Sequence, residues 1–274
     1  MKAGLVCQPG VGQTLSSVNP AIVPPIVKHG AGHAAALIAA RSDMLPYMTV
    51  TENLFGTTQL TAARADAIKK TYMLLGLSVA GAFCGGYLGV QSDALANLFT
   101  GWIGWILAMV LLNAIPRVAI AVRHNPVLGV TALLVDGFVS GLVLAPILRI
   151  ASLYAPGTIQ IAMVMTLIIF AAITLFVMSS GRTFSAPRGL MLGVFISIAA
   201  AVALNMFLNI GFLGILIAAG IGIFGVFILV YATSDVLNNP DADSPIPGAL
   251  TLFAGLFNVF VAVLNILLRL NRRR

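Results

Sequence analysis

The chain has 274 residues, 59% of them hydrophobic and only 8% charged, with a formal net charge of +7. Soluble domains carry about 25% charged residues, so this composition excludes a water-soluble globular protein and makes lipid the solvent for most of the chain. The positive excess lies mostly in short loops and a C-terminal Arg cluster, which suits anionic lipid head groups and gives no reason to expect nucleic acid.

Residues 1–60 differ in kind from the rest. Pro9, Pro20, Pro24, Pro25 and Pro46 stand among Gly, Ser, Thr and Ala, the composition of an N-terminal extramembrane arm ahead of a transmembrane domain over 61–274. Met1-Lys2 is followed by too short a stretch before Gln8-Pro9-Gly10 for a secretory signal, and Cys7 comes too early for a lipoprotein cleavage site. Acids are absent before Asp43, as in organellar transit segments, but Arg is scarce too, so an organellar membrane is the less favoured location. The arm is rich in Pro and Gly yet poor in charge for a disordered segment, which points to an ordered docking arm. Ala62 to Lys70 predicts a short polar helix feeding the first span.

Seven apolar segments follow, at 71–90, 94–116, 125–148, 158–178, 189–208, 211–231 and 247–268. Each is about the 20 residues that cross a hydrocarbon slab as a helix. From Gly189 to Ser234 there are 46 residues without Asp, Glu, Lys or Arg, enough for two crossings reversing at Asn209-Ile210-Gly211. Backbone groups in lipid have to be satisfied within helices or closed barrels, and these runs lack the alternation of barrel strands. The predicted fold is therefore all-α, a polytopic seven-transmembrane-helix bundle. Alternating the sides places Arg64, Lys69, Lys70, Arg117, Arg123, Arg182 and Arg188 together, against Arg149 alone among the opposite loops. The excess of basic residues on the cytoplasmic face then puts the arm in the cytoplasm, most simply of a bacterium with the protein in its inner membrane. Seven crossings leave Arg269, Arg272, Arg273 and Arg274 outside, against the same rule. The seventh segment either crosses and is held by packing, or dips in and returns; Gly248 to Leu268 is charge-free and of full length, which favours crossing.

Gly81, Gly85 and Gly89 recur every four residues, a stripe that lets another helix backbone approach, inside the bundle or across a homodimer face. Asp136 is a carboxylate within an apolar segment, costly in lipid and therefore expected to face the interior with polar partners such as Thr131, Ser140 or an Asn of another helix. Asn205 with Asn209, and Asn258 with Asn265, are spaced to join helices by side-chain hydrogen bonds. Cys7 and Cys84 offer neither a disulfide framework nor a metal cluster. His29, His33 and His124 have no third ligand at metal spacing, and no nucleotide-binding loop occurs. No catalytic set is present, so the expectation is a non-enzyme without cofactor or metal.

The second half carries phrases in a recognisable order: Gly141-Leu-Val-Leu-Ala-Pro-Ile-Leu148, Phe184-Ser185 with Gly189 and Gly193, Asn205-Met-Phe-Leu208, Tyr231-Ala-Thr-Ser234, and Ala249-Leu-Thr-Leu-Phe253 leading to Phe257-Asn-Val-Phe260. Over roughly 62–270 this resembles the Bax-inhibitor-1 superfamily of seven-helix membrane proteins, in its bacterial YccA branch. The resemblance implies a binding module that restrains the membrane-anchored protease FtsH, with an N-terminal tail that the protease engages; the alternative it implies is a passive calcium or proton leak. In the family, two carboxyls, before the fifth span and at the end of the sixth, share a proton and gate that leak. Close carboxyls push one pKa up, which is the basis of such a pH latch. Here those positions fall on Thr183 and Ala232, and a third family acid falls on Gly255, so the titratable latch is absent. Asp235, three residues past Ala232, is expected either to clasp Arg182 or Arg188 or simply to end the sixth helix at the water boundary.

Overall fold

In a computed structural model, the described residues are 62–271 apart from 156, 181, 186, 209 and 240–243. The chain divides at Gly56–Thr57, and every described residue belongs to the second unit. The arm, Cys7, His29, His33, Asn209 and the last three arginines lie outside the described residues.

Nine helices account for the described fold: α1 Ala62–Gln91, α2 Asp93–Leu98, α3 Gly101–Ala121, α4 Pro126–Val143, α5 Ala145–Tyr154, α6 Thr158–Ser180, α7 Arg188–Leu208, α8 Gly211–Asn238 and α9 Ile246–Asn271. Seven of them, all but α2 and α5, are long and apolar enough to cross a membrane. Two of the predicted segments are broken. The segment over 94–116 begins with the six-residue α2, whose first turn is capped by Ser92 Oγ accepting from Leu95 N–H at 3.4 Å. The chain then turns through Gly101 at φ 68°, a left-handed value open to glycine, and α3 runs on past Pro116 to Ala121. The segment over 125–148 ends as a span at Val143, and Ala145-Pro146 starts α5 afresh. Apolarity alone marks neither break. Arg149 of α5 forms an ion pair with Asp93 of α2, tying the two short helices together. The polar stretch 62–70 is the first part of α1, continuous with the span.

At α4 the start is dictated locally. Asn125 Oδ1 accepts from Val127 and Leu128 N–H at 3.1 and 3.2 Å, and Pro126 sits at the first helical position, where its missing N–H removes nothing.

Two glycine seams hold the bundle. Along α1 and α4, which run parallel, a Cβ at Gly85 would fall on the Phe138 carbonyl, one at Gly137 on the Ser78 carbonyl and one at Gly141 on the Ala82 carbonyl. Gly89 meets Ala145 at the start of α5 in the same way. The Gly81, Gly85, Gly89 stripe is thus consumed by packing within one chain and is no free homodimer face. Along α8 and α9, which run antiparallel, Gly225 approaches the backbone at Val259 and Gly255 approaches Leu229. Lipid tails are as apolar as Leu, so close van der Waals approach of this kind, and not hydrophobic burial, drives helix association.

The last helix is the hub. It supplies Leu252, Phe253, Leu256 and Val259 to a cluster with Leu75 of α1, Ile173 and Val177 of α6, and Leu229, Ala232 and Val236 of α8. It also supplies Ile246, Ala249 and Leu250 to a second cluster with Ala119 of α3 and Leu133 of α4, and Leu264 to a third with Ala151 and Ala162. Its 26 residues span about 39 Å at 1.5 Å per residue, and it lies against the whole of α8. Its Arg269 Nη1 donates to Gly211 O at 3.2 Å, in space left by Gly214. The seventh segment is therefore a full-length helix held by packing, its basic end anchored on α8. In contrast α7 has no fully buried residue in its span and packs chiefly on α8.

The seams yield an expected outcome. Gly85→Ala should lower stability by about 1–3 kcal/mol through overpacking, whereas Gly76→Ala, with nothing within 4 Å of the new methyl, should stay within about 0.5 kcal/mol. Denaturant unfolding of both variants in detergent micelles measures the difference.

Candidate functional site

Arg182 to Ser185, between α6 and α7, has no regular secondary structure and is fixed to α8 by one long-range hydrogen bond. Phe184 N–H donates to Ser234 Oγ at 2.8 Å. Asn238, one turn further along α8, donates from Nδ2 to Ser234 O at 2.8 Å and to Ser234 Oγ at 3.2 Å. Ser234 is 1% exposed. The Phe184 ring lies 5.8 Å from that of Phe176 and packs on the main apolar cluster. A neutral hydroxyl thus joins the loop to the end of the sixth span.

Thr183 and Arg182 are exposed. Ala232 is 1% exposed and part of the main cluster. Asp235 is exposed at the end of α8 and lines a cavity of about 220 Å³ that Ala232 also lines. The predicted clasp is absent: the ion pairs among the described residues are Lys70 with Asp66 and Arg149 with Asp93. The reason lies in helix geometry. Ser234, not Asp235, is turned to the loop, and Asp235 is turned to the cavity edge. Nothing is described for the Arg188 side chain. At Gly255 a Cβ would meet the Leu229 side chain and backbone, so the space a third acid would need is filled by α8.

Asp136 is 4% exposed, on the buried face of α4 with Gly129, Leu133, Gly137, Ser140 and Gly141. Its carboxylate has no hydrogen-bond or ion-pair partner among the described residues. Thr131 does not supply one, because its hydroxyl donates to Val127 O at 2.8 Å in its own helix. Ser78 Oγ, on the α1 turn that meets Gly137, is buried without a partner. The asparagines also differ from expectation. Asn258 donates to Ala254 O at 2.8 Å and Asn265 to Val261 O at 2.9 Å, both within α9. Asn205 Oδ1 is buried and unpartnered. A side-chain amide four residues past a helical carbonyl finds a partner without crossing to another helix, and that local bond wins here. No group of three His, Cys, Asp or Glu that could hold a metal occurs among the described residues. His124 Nε2 accepts from Arg123 Nε at 3.4 Å, and Cys84 is a free, exposed thiol.

In the sequence Phe184 and Ser234 stand in separate phrases, 50 residues apart, with nothing in the spacing to join them. The usable signal was Ser234 at the end of a charge-free run: a hydroxyl at that depth needs a partner, and the adjacent loop offers free backbone amides.

Residues 64–273 match the family model described as inhibitor of apoptosis-promoting Bax1. An uncharacterised protein of Neisseria meningitidis serogroup A is 31% identical over 224 residues, covering 80% of this chain and 97% of the relative. A Campylobacter jejuni protein, also uncharacterised, is 32% identical over 208 residues, covering 75% and 89%. The Escherichia coli K12 protein named modulator of FtsH protease YccA is 23% identical over 201 residues, covering 73% and 88%.

The hydrogen bond between loop and α8 is open to a direct check. Ser234→Ala should expose the Phe184 amide to exchange roughly tenfold faster, the equivalent of about 1.4 kcal/mol for one buried bond. Because a hydroxyl, an amide and a backbone N–H do not titrate near neutrality, wild-type protection, corrected for intrinsic exchange, should be equal at pH 6 and pH 8. Amide exchange read by mass spectrometry checks both. With seven helices long and apolar enough to cross a membrane and a match that covers most of its length, the chain belongs to the Bax inhibitor-1 family of multi-pass membrane proteins.

Proposed function

We propose that this protein is a binding module of a bacterial inner membrane that modulates another membrane complex, an FtsH-like protease, with its N-terminal arm in the cytoplasm. The observation that carries this reading is the closed junction at the loop before α7. Where the resemblance implies a titratable gate, Thr183 faces water, Ala232 is packed in the core, and Ser234 holds the loop by a neutral bond. A bundle closed this way is suited to presenting surfaces, and α7 offers an apolar one, with Leu192, Ile196, Leu204 and Phe207 each more than half exposed. The relative named as a modulator of FtsH supports the partner class, and the 60-residue arm is a segment a protease could engage. The reading gives the protein no catalytic step of its own.

One observation favours a second reading, a cation leak. Asp136 is buried and unpartnered in mid-span, the position at which an acid is expected to serve an ion path. Against it, Asp136 lines neither the 220 Å³ cavity nor the larger apolar cavity of about 390 Å³ between α1, α5, α6 and α9.

Affinity purification in mild detergent tests the first reading. A membrane ATP-dependent protease should co-purify at near-stoichiometric yield and be lost on deletion of residues 2–60; a chain that purifies alone sinks it. The arm's side is read separately with Gly30→Cys in a background of Cys7→Ser and Cys84→Ser. It should resist an impermeant maleimide in intact cells. The second reading stands only if reconstituted protein passes calcium and Asp136→Asn abolishes that flux while leaving the protein folded and its partner bound.

A further inference from the structure

The 220 Å³ cavity at the α8–α9 end of the bundle is unlike the rest of the interior. It is bordered by Thr71 of α1, Tyr231, Asp235 and Asn239 of α8 or its end, Ser244 of the following turn and Thr251 of α9. The direction of its hydroxyls decides its chemistry. Thr71 Oγ1 donates to Ala67 O at 2.9 Å, Thr251 Oγ1 donates to Pro247 O at 2.9 Å, and Ser244 Oγ donates to Arg123 O at 3.3 Å. With those protons directed into backbone carbonyls, Thr71 and Thr251 present acceptor lone pairs to the cavity.

Asp235 adds a carboxylate with no ion pair among the described residues. Among the described residues, no Lys, Arg or His lines the cavity. Asp235 is the one charged residue in the described lining, which is otherwise rich in acceptors. One carboxylate and several neutral oxygens suit a monovalent donor. A divalent metal in an all-protein site normally draws on more carboxylates and a tighter cage than 220 Å³.

We propose that this cavity binds a primary ammonium group, its charge set against Asp235 and its three N–H donors against the oxygens of Thr71, Thr251 and Tyr231. The group's source is a free alkylamine or a lysine side chain, which share this chemistry. Recognition depends on donors as well as charge, so a quaternary ammonium of similar size is refused.

The test uses full-length protein in nanodiscs and calorimetric titration with ethylammonium, N-acetyl-lysine methylamide, tetramethylammonium and sodium. Ethylammonium or the lysine derivative should bind, the tighter of the two identifying the source, with tetramethylammonium and sodium at least tenfold weaker. Asp235→Asn should weaken binding at least tenfold. Thr251→Val, which keeps the shape and removes one acceptor, should weaken it about threefold to tenfold, and both variants should retain the wild-type unfolding temperature within a few degrees. Binding of tetramethylammonium or sodium as tight as that of ethylammonium, binding unchanged in Asp235→Asn, or no binding by either primary amine overturns the proposal.

Discussion

Glycine seams, with helix backbones in near contact, are the constraint on which this bundle depends. In water, burying a leucine would bring helices together; in a bilayer the lipid already satisfies it, and only atom-to-atom proximity distinguishes a protein neighbour from a lipid one. The α1–α4 seam through Gly85, Gly137 and Gly141 and the α8–α9 seam through Gly225 and Gly255 supply that proximity. Everything else is arranged around the two pairs. α6 leans on the second pair with Ile173 and Val177, α3 meets the first through Ala119, and α7, without a seam of its own, stays peripheral.

The same packing explains why the chain's junction before α7 is neutral. Gly225 and Gly255 draw α8 against α9 until Leu229 fills the Gly255 site and Ala232 is sealed in the core. A carboxylate at either place would have to be desolvated without a partner. Ser234 needs no such compensation. A hydroxyl accepting from a backbone amide is satisfied at any pH in the neutral range, so the loop is held by geometry and not by protonation state.

The spans were legible because apolar length is a strong signal: each of the seven segments contains or overlaps a membrane-length helix, and the Gly81, Gly85, Gly89 stripe announced a close contact. What the sequence hid was local and directional. The break after α2 depends on Gly101 taking a positive φ, and the break at Leu144 on how Ala145-Pro146 restarts a helix; the second lies in an unbroken apolar stretch, and the first is marked only by Asn97, Thr100 and Gly101. Asn258 and Asn265 have the spacing of interhelical glue, yet each amide bonds back to its own helix. Spacing gives the face but not the rotamer. For the same reason topology leaves Asp235 either to clasp Arg182 or Arg188 or to end the sixth span at the water boundary, and it is one residue's rotation around α8 that gives the loop to Ser234 and leaves Asp235 exposed. The fold could be read almost entirely, and the junction only after its partners were seen together.

Because α9 contributes to all three apolar clusters, the order of synthesis matters. Among the described helices, α9 follows all the others in the chain. Until it inserts, α1, α3, α4, α6 and α8 lack the side chains that α9 gives to their shared clusters, although the α1–α4 seam and the contacts of α3 with α4 and of α8 with α6 and α7 do not involve it. Domains that fold during synthesis usually consolidate from the N-terminus; here the three clusters are complete only once α9 is in place, like an arch that cannot stand before its keystone. A chain truncated within α9, Ile246–Asn271, would therefore lose not one helix but the common core of the bundle. Such a chain would be an incomplete membrane protein, a natural target for membrane quality control.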